Sequence, residues 1–249
     1  MTRLTWNAIG ERTFQAGVDR GVLYIKDSDG VPWNGLIAVS EIPSGGEVTP
    51  HYVDGVKYHN QVMHEEFAAT IEAYTYPEEF AVCDGTQGVS NGLFVTQQPK
   101  KTFGLAYRTM LGNDQYGMNY GYLIHLVYNA TAAPTERPNN TMTDVIDPFN
   151  FSWAIFTKPP LFQGYKPTAH FVIDSRETPY DLLLTIEDIL YGSSDGQPRL
   201  PSVPELLFLF EEYQASQFDA GFLIDEYFNE FDAGVIPEAQ TSTIEGGSP

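Results

Sequence analysis

The chain has 249 residues, enough to bury a full core as one or two domains, and it carries 15 Tyr, 16 Phe and 3 Trp against a charged fraction of only 18%. Its net charge of −20 argues against a protein that grips nucleic acid through phosphate contacts, which need clustered Lys and Arg. A single cysteine, Cys83, excludes an internal disulfide framework and fits synthesis in a reducing cytoplasm, and no apolar run approaches the roughly 20 residues that a membrane helix needs.

The N-terminal stretch MTRLTWNAIGERTF has no apolar signal core, and residues 1–16 read as an arm with little periodicity. VDRGVLYIK (18–26) is strand-like and runs into an Asp-Gly turn at Asp29-Gly30. Pro32 then sits at the entrance of a strand over 33–42, where a missing N–H does least harm. Residues 48–52 and 56–59 flank Asp54-Gly55, a second hairpin signal, so a long two-stranded arm is expected over about 33–60. EFAATIEAY (66–74) alternates with period two and reads as a strand. A helix of little more than two turns is expected next, with Thr75 as N-cap, Pro77 near the first turn and Gly85 as the stop.

The segment from Lys101 to Ala130 reads as strand, loop and strand. Phe103, Leu105, Tyr107 and Thr109 alternate with Gly104, Ala106, Arg108 and Met110, and a polar, glycine-rich loop is expected over about 111–121. In the second strand Tyr122, Ile124, Leu126 and Tyr128 alternate with Leu123, His125, Val127 and Asn129, so both faces are largely apolar. A soluble antiparallel sheet normally wets one face. Either a neighbouring subunit covers the second face, or a helix over 179–191 does.

A loop rich in Pro, Asn and Thr follows over 131–143, then strands over 149–157 and 169–174. Thr178-Pro179 opens the strongest helix in the chain, with Leu182, Leu183, Ile186, Ile189 and Leu190 on one face and Gly192 as its stop. A second helix is expected over roughly 203–213, started by Ser202 or Pro204. All 13 basic residues lie at or before Arg199, so about half of the net charge falls in the acidic segment beyond it. The expected organisation is an N-terminal arm (1–16), a β-domain (17–177), a helical extension (178–213) and an acidic C-terminal segment (214–249), with fewer than 40 residues after Tyr213 and hence no further immunoglobulin-like domain.

Signals for chemistry are sparse. His51, His59 and His64, followed by Glu65 and Glu66, lack the tight spacing of a metal motif such as HExxH. Cys83 has no nucleophile signature, and no glycine-rich phosphate loop or GxSxG elbow occurs. No catalytic, cofactor-binding or metal residue is assigned, and a non-enzymatic role without a cofactor is expected.

Several blocks in order are GVDRGVLY (17–24), VPWNGL (31–36), DGVKY (54–58), TYPEEF (75–80) with Asp84-Gly85, FGLAYRTMLGND (103–114), GYLIHLVYNATAAP (121–134), FSWAIFTKP (151–159), HFVIDSR (170–176), LLLTIEDILYG (182–192) and LPSVPELL (200–207). Together they make the chain resemble the major tail tube proteins of long-tailed bacteriophages, closest to those of siphophages that infect actinobacteria. The resemblance covers about 17–210 and leaves the acidic end unmatched.

The resemblance implies a mainly β fold, a β-sandwich or barrel with a flanking short α-helix and two C-terminal helical segments. It implies homohexameric rings stacked into a tube around a tape-measure protein, with tail tip or baseplate and terminator proteins at the ends. The protein would reside in the virion tail after synthesis in the host cytoplasm, touch double-stranded DNA only transiently, and meet no membrane. Four strands from each of six subunits would give a ring of about 24, with a backbone radius of roughly 25 Å and a bore of about 40 Å once side chains are counted. Six copies of −20 would carry about −120, and carboxylates facing the bore would repel phosphate. The arm over 33–60 and the loop over 111–121 are the expected subunit and ring contacts. Two alternatives are another all-β virion component (terminator, baseplate or decoration protein) and a carbohydrate-binding β-sandwich, although Trp33 and Trp153 lie within strand patterns and read as core.

Overall fold

A computed structural model describes residues 3–26, 28–137, 139, 141, 148–162, 164–194 and 196–215. The protein is mainly β. In chain order the strands are β1 (Thr13–Ile25), β2 (Val31–Pro32), β3 (Leu36–Glu41), β4 (Ser44–Gly45), β5 (Val48–Val53), β6 (Val56–Val62), β7 (Glu65–Glu66) and β8 (Ala68–Ala73). After a 3-10 turn at Glu78–Phe80 and the short helix α1 (Ala81–Asp84) come β9 (Gln87–Ser90), β10 (Leu93–Val95), β11 (Phe103–Asn113), β12 (Gly117–Ala133), β13 (Phe151–Thr157), β14 (His170–Asp174) and helix α2 (Tyr180–Tyr191).

Eight strands form one antiparallel sheet in the order β2-β1-β11-β12-β13-β8-β3, with β14 branching from β12. The branch follows from the length of β12. Residues 123–127 pair with β14, whereas residues 130–133 pair with β13 on the far side of Asn129, which takes a φ of +50°. Two register shifts bend β1, at Gly17 and at Arg20-Gly21. At the second, a Cβ on Gly21 would stand 2.8 Å from Leu36 Cδ2, and Trp33 N–H donates to the Gly21 carbonyl at 2.7 Å. The ends of the curled sheet therefore meet at Gly21, where a Cβ would press on the Leu36 methyl and the Trp33 side chain.

The concave face holds the core. Leu23, Leu105, Tyr107, Val127, Ile71, Ile155 and Trp153 are buried there, closed by Trp33, Phe80 and Cys83. The opposite face of the same strands is also buried: Val22 and Tyr24 on β1, Ala106 on β11, and Ile124, Leu126 and Tyr128 on β12. Helix α2 lies on it, burying Leu182, Leu183, Ile186 and Leu190. Tyr24 Oη donates to the Leu190 carbonyl at 2.7 Å and Tyr122 Oη to Glu187 at 2.8 Å. Each fully buried Leu or Ile contributes roughly 1.5–3 kcal/mol. Of the two explanations for the doubly apolar β12, the helix is the one the fold uses.

Several boundaries differ from the sequence reading. The projecting arm begins only at Ser44. Leu36–Glu41, expected to be its first part, belongs to the main sheet, pairing with β8. The glycine-rich stretch over 111–121 is not a long loop, because β11 runs to Asn113 and β12 starts at Gly117. The Asn113 side-chain carbonyl accepts from the N–H groups of Gln115 and Tyr116 at 3.1 and 2.6 Å, which closes the connection tightly. At Gly112 a Cβ would meet the Phe14 ring and stand 2.9 Å from the Gly117 carbonyl oxygen, and at Gly121 it would stand 2.7 Å from Arg176 Cγ. The expected two-turn helix after Thr75 is a 3-10 turn plus α1, entered at Pro77 with no side-chain cap and stopped by Gly85 at φ +84°. Residues 131–133, expected in a loop, complete β12.

Met1–Leu206 forms one compact unit. At its end Ser202 and Glu205 cap each other, each backbone N–H donating to the other's side chain, and residues 203–206 begin a helix with Val203 and Leu206 buried. Of the second unit, residues 207–215 are described and are helical. The rest of the acidic C-terminal segment lies outside the described residues.

Candidate functional site

The hairpin of β5 and β6 presents an exposed apolar surface in the first unit. Its turn, Asp54-Gly55, takes φ values of +50° and +77°, the pair that a two-residue hairpin turn of the primed type requires. Pro50 is tolerated because a two-stranded ribbon has free edges on both sides. At its root β4 and β7 pair briefly, and Met63 N–H donates to the Glu47 carbonyl at 3.0 Å. Every residue of both strands is exposed. Val48, Tyr52, Val53, Val56, Tyr58 and Val62 are each more than half accessible to solvent. A lone hairpin is at best marginally stable in water, and this one buries none of its apolar side chains within the subunit.

Two smaller features join it. The hairpin of β9 and β10 exposes Val89, Leu93 and Phe94, and the segment before β1 exposes Leu4, Trp6 and Ile9. Strand β14 pairs only with β12 among the described residues, so no strand pairs with its outer edge there.

A polar cluster lies where β3, β12 and β14 come together. His125 Nδ1 and His170 Nε2 are 3.1 Å apart, and Glu41 Oε1 lies 3.6 Å from the same His125 nitrogen. His125 Nε2 is 3.0 Å from Thr109 Oγ1, which also accepts from the Gln15 amide at 2.6 Å. Tyr107 Oη donates to Glu41 Oε1 at 2.9 Å, and its ring stacks on His125 with centroids 4.5 Å apart. Burial, reinforced by the neighbouring His170, pushes His125 down to about 4 against the pull of Glu41. Burial also lowers His170. Both shifts favour the neutral imidazoles, whose facing nitrogens lie within hydrogen-bond distance. Glu41 and His170 also line a cavity of about 670 Å³ with Val62, Met63, His64 and Lys166, at the root of the projecting hairpin.

The residues weighed in the sequence fall in different places. His51 and His59 face each other across the exposed hairpin, and His64 lines the cavity. Cys83 is fully buried in the core, and burial pushes its thiol up to about 11. The pairing of His125 with His170 escaped the sequence reading because the two stand 45 positions apart. Only the register of β12 against β14, with Val127 opposite His170, brings them together.

Neither the models of known protein families nor the sequences of curated proteins match this chain. Among solved structures it is similar to a chain of the anti-feeding prophage baseplate, determined by cryo-electron microscopy with six-fold symmetry, at 9% identity and a TM-score of 0.35 over 68% of this chain and 97% of that one. A chain of the extended sheath–tube complex of the extracellular contractile injection system PVC matches at 16% identity and a TM-score of 0.31, over 63% of this chain and 88% of that one. A chain of the sheath/tube terminator of that system, also extended, matches at 15% identity and a TM-score of 0.28, over 70% of this chain and 99% of that one. These likenesses are too distant to carry function from one protein to the other.

Proposed function

We propose that the chain is a structural subunit of a phage-type tail, and that it assembles into homohexameric rings that stack into a tube for DNA passage. The observation that carries this reading is the hairpin of β5 and β6, which is exposed on every residue and carries Val48, Tyr52, Val53, Val56, Tyr58 and Val62. The ordered sequence blocks that resemble those of tail tube proteins are in keeping with it. A tape-measure protein inside the tube and terminator and tip proteins at its ends are the partners this role requires.

The subunit's own curled sheet is filled by Trp153, Tyr107, Phe80 and Leu105, so it is a core and not a channel. Any bore must arise between subunits. The open edge of β14 is where a neighbour's strand would extend the sheet, and the hairpin would reach to the next subunit or ring. Carboxylates facing the bore would repel DNA phosphate and so keep the conduit from binding its cargo.

Sedimentation velocity over a concentration series tests this reading. The expected result is a shift from the 27.8 kDa monomer to a hexamer and larger species. Added salt should promote it by screening the −20 carried by each copy. A single 27.8 kDa species at every concentration and salt would sink the proposal. A second reading, a finite ring such as a tail terminator or baseplate component, draws on the same exposed hairpin and predicts that growth stops at one ring.

A further inference from the structure

We propose that Glu41, His125 and His170 form a binding site for one divalent transition-metal ion of the zinc class, with its remaining coordination position open to the cavity beside them. The proposal does not depend on the assembly reading.

One imidazole nitrogen from each histidine and one Glu41 carboxylate oxygen all lie within 4.8 Å of one another. Metal–ligand bonds of about 2.0–2.1 Å in a tetrahedron place ligand atoms about 3.3 Å apart. The 3.1 Å between the imidazole nitrogens and the 3.6 Å from His125 to Glu41 bracket that value. Two imidazoles with a carboxylate suit zinc and its neighbours, whereas calcium and magnesium take oxygen ligands.

The surroundings fit the same role. His125 Nε2 lies 3.0 Å from Thr109 Oγ1, and in the tautomer that donates Nε2–H to that oxygen, Nδ1 is a lone pair facing His170 and Glu41. Thr109 can accept this bond together with the one from Gln15, because a hydroxyl oxygen has two lone pairs. Tyr107 holds Glu41 by a hydrogen bond to the same oxygen that faces His125. Orienting partners of this kind hold metal ligands in register. The cavity of about 670 Å³ leaves room for water or a fourth ligand, and His64 and Glu65 are among its lining residues.

In the metal-free geometry the imidazole rings are nearly coplanar, at 10°, with centroids 5.3 Å apart. Their nitrogens therefore face each other almost end-on, as in an N–H···N hydrogen bond. An ion enters when each ring turns slightly in its own plane, so that the lone pairs converge on the cavity side. The three ligands come from β3, β12 and β14, so a bound ion would tie the far end of the sheet to its branch.

The test uses the full chain, stripped with a chelator and titrated with Co²⁺ as a spectroscopic probe, followed by competition with Zn²⁺. The expected result is one ion per chain, a visible absorption band of low-coordinate Co²⁺, and a rise in the thermal unfolding midpoint under saturating metal. His170→Ala should abolish binding. Thr109→Val should weaken it about 10- to 100-fold through loss of the orienting bond. The double change His51→Ala with His59→Ala should leave it unaltered. If circular dichroism shows that His170→Ala does not fold, Glu41→Gln decides, since its amide oxygen still accepts from Tyr107 while its charge is gone. Glu41→Gln should weaken binding at least about 10-fold. The proposal is overturned if the folded wild-type chain takes up no metal. It is equally overturned if binding survives the change at Glu41 or His170 and disappears with His51 and His59.

Discussion

Replacing residues 48–62 by Asn-Gly should give a protein that folds as a monomer and no longer assembles. The cut suits the local geometry, because Met63 N–H already donates to the Glu47 carbonyl at 3.0 Å. Two residues between them make a hydrogen-bonded turn, and Asn-Gly is the sequence that such a turn prefers. The removed strands contribute no side chain to the core, since each of their residues is exposed. The unfolding midpoint should therefore stay within about 2 °C of the wild type, less than the shift of a 1 kcal/mol change in a chain of this size. Assembly should be lost because Val48, Tyr52, Val56, Tyr58 and Val62, all more than half exposed in the subunit, go with the hairpin. Light scattering across a concentration series reads the outcome. If assemblies still form at the wild-type concentration, the hairpin is not the assembling element.

Trp153→Ala should have the largest effect on the subunit itself. The Trp153 side chain is fully buried and sits between Phe80, Tyr76 and Trp33, with ring centroids 5.1, 5.3 and 5.8 Å away. Its indole N–H donates to Asp84 at 3.2 Å, which ties β13 to the end of α1. Cutting such a ring back to a methyl group removes its transfer free energy and leaves a cavity, and costs about 3–5 kcal/mol. At roughly 2–4 °C for each kcal/mol in a chain of this length, the melting midpoint should fall by about 6–20 °C. Trp6→Ala provides the contrast, because Trp6 is 75% exposed. It should shift stability by no more than about 0.5 kcal/mol. Equal effects for the two tryptophans would contradict the assignment of the core.

Much of the strand content was legible in the sequence, because period-two alternation reports directly on a two-faced ribbon. The apolar stripe of α2 and its stop at Gly192 were equally plain. The glycines at 112 and 121 misled for a physical reason. They serve close approach of Phe14 and Arg176 across the strands, and a local reading sees only their turn propensity. The same limit placed Leu36–Glu41 in the arm, since its pairing with β8 is non-local and β-strands carry no signal of their partner. The tight connection at 113–117 depends on the Asn113 side chain bonding two backbone groups, which its residue type permits but does not announce. The cluster of Glu41, His125 and His170 is the extreme case. Three residues on three strands meet through register alone, and no spacing in the chain hints at it.

Electron microscopy of the concentrated protein separates a tube from every smaller assembly. The expected result is stacked six-fold rings forming tubes of uniform width, with an open bore of about 40 Å set by a ring of roughly 24 tilted strands. Dispersed monomers, or closed rings that never stack, would contradict it.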